Sequence, residues 1–146
     1  VPTVTRSRTI AADRQELWDL ISDPSLLPRW WPDVVRVEDA TPLAWTKVLS
    51  TPKGAAVRAD FTRLAADEPS SLKWRQELDE SPFERIMSEN VLEISLEPDG
   101  DAGTRVQMRS VQKLSGYSRL GGFMFRRAMR GKLEQALDGL ERECAA

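Results

Sequence analysis

The stretch "DPSLLPRWWPDVV" (residues 23–35) sets Trp30 beside Trp31 and brackets the pair with Pro28 and Pro32. Two adjacent indoles cannot share one narrow apolar stripe of a helix, and the prolines prevent a long helix from absorbing them. Pro24 can open a helix because its missing N–H falls where no intrahelical acceptor exists, and Pro28 keeps that helix short. Just upstream, "AADRQELWDLIS" (11–22) offers Asp13 as an N-cap with Glu16 three positions on. Leu17, Trp18 and Ile21 recur at helical spacing, which predicts a helix near 13–22 ended by Asp23-Pro24. The economical reading is two short helices with a sharp bend between them. Before them, "TVTRSRTI" (3–10) is rich in β-branched residues and reads as a strand.

After Pro32 the pattern changes to strands. "DVVRVEDA" (33–40), "LAWTKVLS" (43–50), "AAVRADFTRLA" (55–65), "LKWRQEL" (72–78), "ERIMSENVLEISL" (84–96) and "TRVQMRSVQKL" (104–114) succeed one another across connections short enough for antiparallel hairpins. From Ser118 onward the run is helical. Met129, Leu133, Ala136, Leu137, Leu140 and Cys144 keep the three-and-four spacing of one buried face. The expected fold class is therefore α+β, one domain over residues 1–146. Its seven-stranded antiparallel sheet is curved and wrapped around a long C-terminal helix, with two short helices after strand 1.

Composition bounds the function. The formal net charge is −2 with acids and bases interspersed, which argues against nucleic acid as a partner. The basic run Arg126, Arg127, Arg130 and Lys132 is followed by Glu134, Asp138, Glu141 and Glu143, the pattern of a solvated helix face. A phosphate-binding patch is the competing reading. The sequence has no histidine. That removes the Ser-His-Asp triad, the Cys-His pair and a histidine-based zinc site. The acidic "EPDGDAG" (97–103) lacks the spacing of a calcium loop and reads as a turn. No cofactor and no metal are implied. Cys144 is the single cysteine, and no stretch reaches the ~20 apolar residues of a membrane span. A cytoplasmic monomer or homodimer is the expectation.

The order of elements, with "LWDLISDPSLLPRWWPDV" (17–34), "SPFERI" (81–86), "LEPDGDAGTRV" (96–106) and "GGFMFRRAMRGKLEQALDGLE" (121–141), resembles the START-like (SRPBCC) superfamily. These are helix-grip folds that include polyketide cyclases, lipid-transfer domains and the birch-pollen-allergen group. The resemblance covers nearly the whole chain. It implies that sheet and helix enclose an elongated apolar cavity.

Strand parity tests that implication. In 72–78 the even residues Leu72, Trp74, Gln76 and Leu78 oppose charged neighbours, so the even side faces inward. The same parity turns Ser88, Asn90 and Leu92 inward on the next strand, and Met108, Ser110 and Gln112 on the last. Hairpin turns set the expected register: Asn90 opposite Ser110 and Trp74, and Ser88 opposite Gln112 and Gln76, with a slip of two leaving parity intact. Gln76, Ser88, Asn90, Ser110 and Gln112 then form a neutral polar row on the inward face. In a dry core each unpaired member would cost about 1–3 kcal/mol. Either they satisfy one another or buried water, or they orient a mostly apolar ligand.

The remaining cavity candidates are aromatic or lie on the last helix. Trp45 and Phe61 face inward by parity. Of the Trp30–Trp31 pair, one is expected to be buried with its indole N–H bonded and the other, assigned to Trp31, to face the cavity mouth; both filling core space is the alternative. A helical projection places Arg126 and Met129 near one face of the last helix, where Arg126 either receives a ligand oxygen or snorkels outward. Arg63 shares parity with Phe61 and has a similar claim. No catalytic residue is assigned. Two functional readings stay open: binding or carriage of a small, mostly hydrophobic molecule (lipid, isoprenoid or polyketide-like), or an aromatase/cyclase of the polyketide type acting in the same cavity. A partner-binding module with a vestigial cavity is a third. The resemblance implies arginine, tyrosine and water for a cyclase, and the single tyrosine, Tyr117, lies at the start of the last helix rather than in the sheet.

Overall fold

The computed structural model describes residues 3–115 and 121–144. β1 (Thr3–Ile10) leads into α1 (Arg14–Ile21), and the Asp13 carboxylate caps α1 by accepting from the Glu16 N–H at 2.8 Å. Asp23 caps a single 3₁₀ turn, Pro24–Leu26, in the same way, and Pro24 takes its first position. The one-turn α2 (Leu27–Trp30) then carries Pro28 in its first turn, where no N–H is needed. The bend expected from the prolines is thus a 3₁₀ turn fused to one α-turn.

β2 (Val34–Glu38), β3 (Ala44–Ser50), β4 (Ala56–Asp67), β5 (Ser71–Glu77), β6 (Met87–Pro98) and β7 (Thr104–Leu114) complete the sheet. All seven strands join one antiparallel sheet in the order β1-β7-β6-β5-β4-β3-β2. β1 therefore closes onto the last strand. α3 (Gly122–Cys144) covers the inward face. Its Leu133, Ala136, Leu137 and Leu140 are fully buried, as the three-and-four spacing requires. Tyr117 and Ser118, expected at the start of this helix, lie outside the described residues.

Two contacts fix α3 on the sheet. Gly139 meets the backbone of Trp30, so closely that a Cβ there would stand 2.8 Å from Trp30 Cα; only a glycine lets α2 and α3 cross at this distance. Arg8 of β1 donates to Asp138 at 2.6 Å, to Glu134 at 2.9 Å and to Glu141 at 3.3 Å. The acidic face read from the sequence as solvated is in fact half-engaged by this clasp, which holds the Arg8 guanidinium above its ordinary pKa.

The register differs from the turn-based expectation by the allowed slip of two. Asn90 pairs with Gln112, and Leu92 with both Ser110 and Trp74. Two bulges matter more. One, between Met87 and Glu89, reverses parity at the start of β6: Met87 turns inward and buried, and Ser88 turns out. The other falls between Arg63 and Ala65 of β4.

Candidate functional site

Between the sheet and the N-terminal half of α3 lies a cavity of about 260 Å³. β6 and β7 build its floor, contributing Asn90, Leu92, Ser110 and Gln112. β3, β4 and β5 supply one wall through Lys47, Leu49, Phe61, Trp74 and Gln76. Phe125, Ala128, Met129 and Lys132 of α3 form the roof. Phe83, Ile86 and Met87 come from the β5–β6 connection and the first residue of β6, and the exposed Ile86 and Ala128 mark the opening.

The sequence candidates divide accordingly. Trp31, Phe61, Trp74, Gln76, Asn90, Ser110, Gln112 and Met129 line the cavity. Trp45 does not. It is buried behind the wall, stacked on Phe61 at 6.2 Å and edge-on to Trp74 at 5.6 Å. Met108 is fully buried further along β7, where side chains fill the interior. Ser88 needs correction: the β6 bulge turns it onto the outer face, into a charged surface groove with Arg75, Glu77 and Glu89. Arg126 is exposed and points away from the cavity lining, so the snorkelling alternative holds. Arg63 sits at the β4 bulge, where its guanidinium donates to the Ser22 carbonyl at 2.6 Å and ties β4 to the end of α1.

The adjacent indoles separate as their positions require. Trp30 is buried under α3, whereas Trp31 is half-buried and lines the cavity, edge-on to Trp30 at 5.7 Å. Trp74 touches both rings, at 6.4 and 6.2 Å. Trp30, Trp31, Trp74, Trp45 and Phe61 thus form one continuous aromatic cluster. The expectation of an indole partner fails at Trp30, whose buried Nε1 has no acceptor among the described residues.

Within the polar row, the Asn90 side-chain amide donates to Gln76 Oε1 at 2.8 Å. This pair is the mutual satisfaction anticipated from the sequence, and it is incomplete. Gln76 Nε2 is buried without a partner among the described residues. Ser110 and Gln112, 2% and 5% exposed, continue the polar strip along β7.

Lys47 is the residue that sequence reasoning missed. Only 2% exposed, its ammonium lies 4.2 Å from the Phe61 ring centre, 4.5 Å from Trp31 and 5.3 Å from Trp74. No carboxylate pairs with it among the described residues. Burial, and next the like charge of Lys132, lower its pKa to about 7. Ring faces attract a desolvated cation by roughly 2 kcal/mol, against several for stripping an ion of water, so they offset burial only in part. Lys132 is itself 3.7 Å from Asp33. The signal was present in the sequence: Lys47 shares parity with Trp45 and Leu49 on one strand.

A curved antiparallel sheet gripping a C-terminal helix around an apolar cavity defines the START-like class. The family described as "Polyketide cyclase / dehydrase and lipid transport" matches residues 1–145, and the chain belongs to it. Membership sets hydrophobic-ligand binding as the general class of activity. Among solved structures, a START superfamily protein from Mycobacterium smegmatis superposes with a TM-score of 0.79 at 15% identity, covering 98% of this chain and 97% of that one. XoxI from Bacillus cereus gives 0.79 at 14% identity, over 99% and 96% of the two chains. The di-domain ARO/CYC StfQ from the steffimycin biosynthetic pathway gives 0.78 at 13% identity; 98% of this chain covers 50% of StfQ. At these identities the likeness is one of fold. No curated protein matches the sequence. Among the described residues, no helix is long and apolar enough to cross a membrane.

Proposed function

We propose that the chain binds or carries a small, mostly hydrophobic molecule in the cavity under the N-terminal half of α3. The observation that supports this best is the lining itself: aromatic and aliphatic walls around a few polar groups, one of them a buried donor left unused at Gln76. Such a make-up is costly for a core and ordinary for a receptor. Native mass spectrometry of protein purified from its own host is expected to show a retained apolar adduct. Ala128→Trp, which places an indole at the exposed opening, is expected to lose it. Identical adducts on both proteins would move the ligand elsewhere, and no adduct or uptake with any apolar compound would end the reading.

A second reading, cyclase-type catalysis on a polyketide-like ligand, draws on Lys47. A lysine with a pKa of about 7 can polarise a carbonyl as the ammonium or take a proton as the amine. Incubation with a reactive poly-β-ketone then tests Lys47→Met rather than Arg63 or Arg126, which face elsewhere. An unchanged product pattern would remove this reading and leave carriage.

A further inference from the structure

The charge of the cavity lining is one-sided. Among the described lining residues two are ionisable, both lysines, Lys47 and Lys132, and none is an aspartate or glutamate. Asp33 stands beside Lys132 and not beside Lys47. The Lys47 ammonium, held against three ring faces, has all its N–H groups without a hydrogen-bond acceptor among the described residues. A second unpaired donor lines the same cavity. Phe61, the ring nearest Lys47, pairs across β4 and β5 with Gln76. Asn90 occupies Gln76 Oε1, which leaves the buried Nε2 as the amide's free end.

From this arrangement we propose that the hydrophobic ligand carries a carboxylate, and that Lys47 receives that carboxylate, with the Gln76 amide on the same lining as a further donor. The inference rests on the cavity reading above. A cationic head would meet two like charges. A wholly apolar ligand would seal a bare ammonium from water with nothing to neutralise it. A carboxylate supplies the missing counter-charge and two acceptor oxygens to ammonium and amide donors.

The pairing has a protonic signature. Lys47 faces uncharged Trp31 before β2, Phe61 on β4 and Trp74 on β5; among the described residues its charged neighbour is Lys132 on α3, with Asp33 behind it. With the free-protein pKa at about 7, most Lys47 is neutral at pH 8. An arriving carboxylate favours the charged form, so binding at pH 8 takes up a proton.

Decanoic acid, methyl decanoate and decan-1-ol test this, with binding followed by tryptophan emission and by calorimetry in buffers of different protonation enthalpy. At pH 6.5 the acid is expected to bind about 30-fold tighter than the ester, and Lys47→Met to close that gap. At pH 8 the acid alone is expected to draw a proton from the buffer, a readout in the unaltered protein that needs no variant. Ala128→Trp is expected to weaken all three, which ties the signal to the cavity. Equal affinity of acid and ester without proton uptake would overturn the carboxylate while leaving the cavity as a site for neutral ligands. Failure of all three compounds to bind would overturn both.

Discussion

The two ends of α3 lie over the same sheet and behave differently. Toward its C-terminus, Leu133, Leu137 and Leu140 join one buried cluster with Ile94 of β6 and Val106 and Met108 of β7, all wholly buried. Toward its N-terminus the same helix face continues as Phe125, Ala128 and Met129, but opposes Asn90, Leu92, Ser110 and Gln112 and leaves a cavity. The helix does not change character between them. The strands do: branched aliphatics that interlock give way to amides and hydroxyls. One sheet thus builds a solid half and a hollow half, and the division is set by which residues occupy the inward parity.

That contrast can be broken most severely at the solid end. Leu137→Ala removes a fully buried side chain beneath α3 and is expected to cost about 2–5 kcal/mol in urea unfolding. A cost below about 1 kcal/mol would mean the two ends are packed alike. At the hollow end the sign reverses. Lys47→Met removes a buried charge and is expected to stabilise the ligand-free protein by about 1–3 kcal/mol at pH 6. The lysine pKa is depressed from 10.5 to about 7 in the fold, so the unfolded chain binds the extra proton between those values. Stability from this group therefore rises with pH over that window, and the advantage of methionine shrinks as pH climbs from 7 toward 9. Melts across that range check it; a pH-independent difference would assign the effect to shape and not to charge. Above pH 9 Cys144, raised to about 11 mainly by burial, contributes the opposite slope. The smallest effect belongs to Ser88→Ala, expected to change stability by less than about 0.5 kcal/mol and ligand uptake not at all. Loss of uptake there would return Ser88 to the inner row.

Much of this molecule was legible in its residues. Asp13 with Glu16, the proline-bracketed bend and the three-and-four spacing of Leu133, Ala136, Leu137 and Leu140 each encode local geometry, and their order encodes the fold. Parity survived a register slip of two because side chains alternate with period two. The β6 bulge was invisible, since neither glycine nor proline marks Met87-Ser88-Glu89, and one extra residue was enough to send Ser88 outward. Arg63, left open between the cavity and another partner, keeps its inward register opposite Trp74, and its guanidinium turns to the Ser22 carbonyl. Lys47 escaped differently. Its parity was readable, but a lysine in a strand is ordinarily solvated, and only the ring faces of Trp31, Phe61 and Trp74, brought together from three separate segments, make an inward position tolerable.

The close crossing of Gly139 over Trp30 has a mechanical consequence. With the Arg8 clasp it anchors α3 within residues 134–141, while at the roof of the cavity Lys132 reaches Asp33 at the longer distance of 3.7 Å. α3 is then a lever with its fulcrum at Gly139, and Gly122 stands about 25 Å along it at 1.5 Å per residue. A tilt of about 5° at the fulcrum lifts that far end by roughly 2 Å. A guest bulkier than the resting space would therefore be accommodated by displacement at the Gly122 end of α3 and not at the Gly139 crossing.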